Sequence, residues 1–321
     1  MDVTLLTPLG AVVAVAVVVP LVAFWLLQRR GGSVRRTIGL PPPRPGLLRV
    51  AVASILLAGA LVGLAAAQPR LEWTSDQRVR KDAEAIVVID TSRSMLARSA
   101  PRAEIRYDRA VAAALRFRAA FPDVPVGIAS LTDRVLPHLF PSADDDVFAA
   151  TLRRSLGVDR PPPRGSFSST ATRLASLESV VTRRFFSPTA RKRLIVVLTD
   201  GESVPTSGAK FAAAFRRPPA VDSIFLHYWD SDERVFDGGQ PEPQYSPDPR
   251  SRAILDQAAE TIGGRVFEEG ELDRAIGAAR SALGDGTTVV HGEKRNRLAL
   301  APYLAGAAFL PLALLLWRRD R

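Results

Sequence analysis

Residues 85–95 read Ala-Ile-Val-Val-Ile-Asp-Thr-Ser-Arg-Ser-Met, and this stretch decides the predicted fold. Residues 85–89 are all apolar and mostly β-branched, which predicts a strand buried on both faces of a sheet. A similar run at 194–198 is followed by Thr-Asp-Gly at 199–201. An aspartate thus follows each of the two strands. In parallel sheets ligands bind at the edge formed by the carboxyl ends of the strands, so the sequence predicts a binding site there.

Short β-branched strands alternate with amphipathic stretches between residues 82 and 284. This alternation predicts an α/β fold with a doubly wound, mostly parallel, Rossmann-like sheet. The predicted strands are 85–89, 126–131, 194–198, 223–228 and 265–267, and the predicted helices are 107–121, 146–156, 171–185, 207–216, 250–262 and 271–283. Residues 82–284 are therefore predicted to form one domain.

Three runs without a charged residue, 5–27, 50–67 and 298–317, contain 23, 18 and 20 residues. A helix needs about 20 apolar residues to cross the hydrocarbon core of a bilayer. The sequence therefore predicts three transmembrane helices that anchor the domain, in residues 1–28, 50–67 and 298–317. The first run is interpreted as a retained helix rather than a signal peptide, because Asp2 precedes it and no basic residue does.

The net charge of +10 is concentrated beside these apolar runs. Residues 29–49 contain six arginines and no acid, whereas residues 68–297 contain 34 basic and 31 acidic groups. This distribution is typical of a membrane protein and argues against a nucleic-acid partner. Short arginine-rich loops stay in the cytoplasm, so 29–49 is predicted to be a cytoplasmic loop. Residues 82–284 are then extracytoplasmic, in a multi-pass protein of the cell membrane.

The residues near the two strand ends offer only oxygen ligands. Asp90, Ser92 and Ser94 follow one strand, Asp200 follows the other, and a hydroxyl-rich segment at 166–172 lies between them. The chain has no cysteine, which excludes disulfides and cysteine-bound metals, and its three histidines are far apart. Carboxylates and hydroxyls suit a hard divalent cation, which we expect to be Mg²⁺, with Mn²⁺ or Ca²⁺ as alternatives. Such a cation can also bind an acidic residue of a protein partner.

Asp-x-Ser-x-Ser at 90–94 and Thr-Asp-Gly at 199–201 resemble the metal-ion-dependent adhesion site (MIDAS) of the von Willebrand factor A (VWA) domain. The resemblance covers about residues 82–283. It implies five metal ligands: Asp90, Ser92, Ser94, Thr170 and Asp200. The family usually has glycine before the threonine, where this chain has Ser169, so Thr172 is left open as the alternative ligand.

Residues 89–97, the segment 101–106 and Ala-Gln-Pro at 67–69 further resemble the Bat-type aerotolerance membrane proteins. Those proteins have two leading spans, a VWA domain and one trailing span. The resemblance implies a non-enzymatic module that binds a protein partner within a membrane complex. It also implies, as partners, an AAA+ ATPase of the MoxR type and other VWA membrane proteins.

Two other functions are left open. VWA domains also serve as subunits of chelatases, which insert metal into tetrapyrroles, although such subunits are cytosolic as a rule. Residues 87–92 resemble the aspartate loop of an aspartic protease, whose two carboxylates share a proton. That chemistry would need 199–201 as its second loop, and the aspartic proteases are all-β proteins.

The remaining charged residues near the predicted site are interpreted as solvated groups. Glu202 is expected to be a loop acid in water, with a supporting role behind the metal ligands as the alternative. The three histidines are expected to be packing or surface groups. Four arginines are read either as solvated side chains or as a basic rim that selects an acidic partner: Arg93, Arg98, Arg160 and Arg164.

Overall fold

The computed structural model describes residues 2–19, 21–23, 25–27, 30, 45–162, 172–206 and 208–319. The chain divides into two compact units, one formed by Met1–Asp76 with Gly292–Arg321 and the other by Gln77–His291. The strands are β1 (Asp2–Leu5), β2 (Pro69–Arg80), β3 (Ala83–Asp90), β4 (Val126–Leu131), β5 (Val135–Ser142), β6 (Lys192–Thr199), β7 (Val221–His227), β8 (Phe236–Asp237), β9 (Gln240–Pro241), β10 (Arg265–Glu268) and β11 (Thr288–Ala299). The α-helices are α1 (Pro45–Ala66), α2 (Arg106–Ala120), α3 (Asp145–Ser155), α4 (Glu178–Thr182), α5 (Ala209–Arg216), α6 (Ser251–Ile262), α7 (Leu272–Leu283), α8 (Ala301–Ala307) and α9 (Phe309–Arg319).

The unit Gln77–His291 is built on a six-stranded sheet in the order β10-β7-β6-β3-β4-β5. Every neighbouring pair in this sheet is parallel except β4 and β5. The prediction of an α/β fold with a mostly parallel central sheet is therefore confirmed.

Helices cover both faces of this sheet, which explains the unbroken apolar runs of the central strands. Val87 and Ile89 of β3 face a core formed with α2, α3 and α7, whereas Ile86 and Val88 face a core formed with α4, α5 and α6. Side chains alternate between the two faces of a strand, so a strand covered on both sides is apolar at every position. Burying both faces provides the main hydrophobic stabilisation of the unit.

The register of the two central strands places the predicted site. β3 and β6 are parallel neighbours, with Ala83 opposite Lys192 and Ile89 opposite Leu198. Both strands end at the same edge, so the loops that follow Asp90 and Thr199 start side by side. This edge is the one at which the sequence predicts a ligand.

Within the six-stranded sheet and the helices that cover it, two elements differ from the predictions. The edge strand β5 was not expected; it pairs antiparallel with β4 and carries Pro137 and Pro141. The helix predicted at 171–185 is shorter, because its described part is a 3₁₀ turn at Leu174–Leu177 followed by α4. Residues 163–171 lie outside the described part of the chain.

The described residues of the apolar runs are mainly helical. Among the described residues, the helix Pro8–Leu27 is long and apolar enough to cross a bilayer, and the apolar helices Val52–Ala66 and Ala301–Leu314 are shorter than that limit. The start of the run at 298–317 belongs to β11, which ends at Ala299. All three transmembrane helices therefore stay predictions. The predicted cytoplasmic loop falls largely on residues that the structure does not describe.

Candidate metal centre

The loop after β3 brings one carboxylate and two hydroxyls together. Asp90 is fully buried, and its Oδ1 accepts a hydrogen bond of 2.9 Å from the backbone N–H of Ser92. The chain then turns into a 3₁₀ helix at Arg93–Leu96, and the Oγ atoms of Ser92 and Ser94 lie 3.0 Å apart. Three of the five predicted ligands thus share one short turn.

The loop after β6 lies against the first loop. Thr199, the last residue of β6, donates a hydrogen bond of 2.6 Å from Oγ1 to Oδ2 of Asp90. Asp200 follows it and is fully buried. The structure therefore brings the carboxylates of Asp90 and Asp200 to the same edge of the sheet, as the sequence predicts.

The predicted threonine falls outside the described part of the chain, since Thr170 belongs to the gap at 163–171. Its alternative, Thr172, is 1% exposed and donates a hydrogen bond of 3.4 Å from Oγ1 to Oδ1 of Asp90. Thr172 also forms a β-bridge with Ser203, in the loop that follows β6. The structure thus places the hydroxyl of Thr172 next to Asp90, and Thr170 stays a prediction.

The donor set fits a divalent cation. Burial raises the pKa of Asp90 to about 7, and the nearby charge of Asp200 adds to this effect. Two buried carboxylates that repel each other are stabilised by an added positive charge. The hydroxyls of Ser92 and Ser94 supply further oxygen ligands of the kind that Mg²⁺ accepts. No group of three or more histidine, aspartate or glutamate side chains suited to a metal occurs among the described residues.

A buried arginine stands beside these carboxylates, and the sequence analysis missed it. Arg106, at the start of α2, is fully buried. Its guanidinium group donates hydrogen bonds to Oδ2 of Asp200 at 3.3 Å, to Oε1 of Glu202 at 3.1 Å and to Oε2 of Glu233 at 2.5 Å. No signal distinguished Arg106 in an arginine-rich chain, because its partners lie 94 to 127 residues away in the sequence.

The interpretation of Glu202 as a solvated loop acid is wrong. Its side chain is 11% exposed and accepts hydrogen bonds from Arg106 and, at 2.8 Å, from the hydroxyl of Tyr245. Burial raises the pKa of Glu202 to about 7, and the charge of Asp200 raises it further. A third carboxylate therefore belongs to the buried charge cluster around the site.

His227 is a packing group, as expected, but it also holds the second loop. Its Nε2 lies 3.1 Å from the carbonyl oxygen of Asp200 and 3.2 Å from Oγ of Ser251, and its Nδ1 lies 3.2 Å from Glu268. The hydrogen-bonded arrangement of Ser251, His227 and Glu268 resembles a hydrolytic triad. Ser251 is only 1% exposed, so its hydroxyl is closed to a substrate in this structure.

The segment 229–250, between β7 and α6, borders the first loop. Arg93 and Glu242 form an ion pair at 3.0 Å. Arg98 and Arg234 exchange two backbone hydrogen bonds of 2.9 Å each. The predicted basic rim is therefore partly neutralised, since Arg93 has an acidic partner from this segment.

Gly201 is required by the turn that positions Asp200. Its φ angle is +72°, and a Cβ atom at this position would lie 2.8 Å from both the carbonyl oxygen of Ser251 and the side chain of Leu255. Gly263 is a matched control, since its φ angle is +75° and no atom lies within 4 Å of a Cβ placed there.

We expect Gly201→Ala to lower the thermal stability of the full chain in detergent well below that of Gly263→Ala. Gly263→Ala adds only the cost of a left-handed backbone, about 1 kcal/mol, whereas Gly201→Ala adds a clash with the backbone of α6. Thermal unfolding followed by circular dichroism measures the difference. Equal melting temperatures for the two variants would contradict this account of the turn.

The raised pKa of Glu202 predicts a pH dependence of stability. The folded-state pKa of about 7 lies above the unfolded value of about 4.3, so the folded state binds the proton more tightly. The free energy of unfolding should therefore fall as the pH rises from about 4 to about 7 in metal-free protein. Glu202→Gln is expected to flatten this slope in part, because Asp90 contributes with the same sign.

Urea unfolding of the full chain, measured between pH 4 and pH 8 in the presence of a chelator, gives this slope. Glu104→Gln is the control, because Glu104 is exposed at the surface. A slope in Glu202→Gln as steep as in the unchanged chain would show that folding does not raise the pKa of Glu202.

Comparison with known proteins agrees with the fold of the unit Gln77–His291. Residues 85–202 match the model of the von Willebrand factor type A domain. The structure is similar to that of BatB from Bacteroides thetaiotaomicron, with 17% identity over 62% of this chain and 99% of the other and a TM-score of 0.50. This likeness concerns the fold.

Two further solved structures share lower similarity. An aerotolerance-related membrane protein from Bacteroides fragilis matches with 19% identity, over 63% of this chain and 98% of the other, at a TM-score of 0.44. Proximal thread matrix protein 1 from the mussel byssus, with a zinc-occupied MIDAS motif, matches with 14% identity, over 64% of this chain and 48% of the other, at 0.39. No curated protein matches this sequence. The family match therefore covers residues 85–202 of this chain.

Proposed function

We propose that this chain is a membrane-anchored VWA module that binds a protein partner through a divalent metal. The observation that carries the proposal is the pair of fully buried carboxylates, Asp90 and Asp200, at the carboxyl edge of the sheet. Ser92 and Ser94 would complete the ligand set together with a threonine, Thr172 or Thr170. Mg²⁺ is the proposed cation, with Mn²⁺ or Ca²⁺ as alternatives.

The chemistry proposed is recognition rather than catalysis. A metal held by these residues supplies a Lewis-acidic centre that accepts one carboxylate oxygen from a partner. The residues of this chain fix the ligands and shield them: Asp90 receives hydrogen bonds from Thr199 and Ser92, and Asp200 receives them from Arg106 and the backbone of Glu202. The aspartic-protease alternative loses support because those proteases are all-β proteins, unlike the parallel sheet described above.

The membrane anchor is proposed from the three uncharged runs, of which Pro8–Leu27 meets the length of a span as a helix. The arginines of 29–49 support a cytoplasmic position for that loop and hence an outer position for the VWA domain. A MoxR-type ATPase, proposed from the Bat resemblance, would then reach the chain through residues 28–49 or 318–321. Other VWA membrane proteins are proposed as neighbours in the same complex.

We expect millimolar Mg²⁺ to raise the thermal stability of the full chain in detergent, and Asp90→Asn to abolish the effect. A cation that binds only the folded state at 100 times its Kd adds about 2.7 kcal/mol, which is a shift of several degrees. Crosslinking in native membranes should likewise yield partner adducts that Asp90→Asn and a chelator remove. Asp108→Asn is the control, because Asp108 is exposed on α2. A Mg²⁺-dependent rise in melting temperature that is as large in Asp90→Asn as in the unchanged chain would contradict the proposal.

Orientation is tested by labelling single cysteines, since the natural chain contains none. In intact cells a membrane-impermeant maleimide should label Ser231→Cys, in the exposed part of the segment 229–250, and leave Ser33→Cys unlabelled until lysis. The reverse pattern would place the VWA domain in the cytoplasm and favour the chelatase-type subunit.

A further inference from the structure

The segment 229–250 is joined to the candidate metal centre by one buried side chain. Arg106 Nε donates to Glu233 at 2.5 Å, and its Nη1 donates to the hydroxyl of Tyr245 at 3.0 Å. A further nitrogen of the same guanidinium lies 3.5 Å from the carbonyl oxygen of Asp230. Three points of the segment therefore contact one group.

The same guanidinium contacts the loop after β6. Arg106 Nη1 lies 3.3 Å from Oδ2 of Asp200 and 3.1 Å from Oε1 of Glu202. Tyr245 closes the set, because its hydroxyl donates a hydrogen bond of 2.8 Å to Glu202. The loop that carries a proposed metal ligand and the segment that borders the site thus share one cation.

Burial strengthens the contacts that Arg106 makes with both the loop after β6 and the segment 229–250. The side chain of Arg106 is fully buried and those of Asp200 and Glu233 are at most 6% exposed, so water neither screens nor replaces these contacts. A guanidinium presents its donors in a rigid fork and keeps its charge at any physiological pH. A change in the charge around Asp200 therefore alters how strongly Arg106 is drawn to the carboxylate of the segment.

We infer that Arg106 is a positioning residue that couples the candidate metal centre to the segment 229–250. Asp200 interacts with two cations, the permanent guanidinium and an exchangeable metal, so metal binding and the order of the segment are thermodynamically linked. The inference rests on the proposed function. If the inference holds, metal binding changes the order of the segment 229–250 at the surface through the buried side chains of Arg106 and Glu233.

Hydrogen–deuterium exchange of the full chain in detergent, with and without millimolar Mg²⁺, tests this coupling. In the unchanged chain, Mg²⁺ should slow exchange several-fold in 90–96, in 199–203 and in the segment 229–250. The double variant Glu233→Gln with Tyr245→Phe removes the two side-chain ties of Arg106 to the segment. It leaves the contact of Arg106 with Asp200 and its long contact of 3.5 Å with the carbonyl oxygen of Asp230. In this variant Mg²⁺ should still slow exchange in 90–96 but no longer in 229–250.

The control is Glu242→Gln, which removes the exposed ion pair between the segment and Arg93. It should keep the response of the segment to Mg²⁺, because it leaves the contacts of Arg106 intact. A second double variant, Arg106→Met with Glu233→Gln, removes one positive and one negative charge together and should uncouple the segment in the same way.

The outcomes separate the two proposals. A response in 90–96 without any response in 229–250 of the unchanged chain would overturn the coupling and keep the metal site. A segment that still responds in both double variants would overturn the role of Arg106. The absence of a Mg²⁺ response in 90–96 as well would overturn the proposed function and the coupling with it.

Discussion

The repulsion between two buried carboxylates, Asp90 and Asp200, is the constraint on which the rest of this edge depends. Moving a carboxylate out of water is costly unless hydrogen bonds or opposite charges compensate it. Asp90 is compensated by the hydroxyls of Thr199 and Thr172 and by a backbone N–H group. Asp200 is compensated by Arg106. The positions of the loops follow from these contacts as much as from the ends of the strands.

Burying Arg106 creates a second requirement, because an unpaired buried guanidinium is as costly as an unpaired carboxylate. Glu202 and Glu233 meet it, and Glu233 in turn pairs with Arg109 at 2.7 Å. The charge network therefore spreads from the strand ends into the segment 229–250. Each buried charge in this network is compensated by a neighbour of opposite sign, and the network begins at the two aspartates.

The sequence predicts the central part of this arrangement and fails at its periphery. β3 and β6 are unbroken apolar runs, and a run of this kind has few alternatives to a strand covered on both faces. The partners of Arg106 were not predictable, since nothing local distinguishes a buried arginine from a solvated one. Tyr245 lies 139 residues from Arg106 in the sequence, and only the folded chain brings the two together. Glu202 was misread for the same reason, as its burial depends on residues from a distant loop.

The edge strand β5 bears on whether the sheets of two copies of this chain can pair edge to edge. An exposed edge strand offers free N–H and C=O groups to the edge of another sheet, and this pairing leads to aggregation. Pro137 and Pro141 have no N–H group, so β5 is a poor template for such pairing. Where copies of this chain are crowded together, these two prolines therefore protect the sheet against self-association through β5.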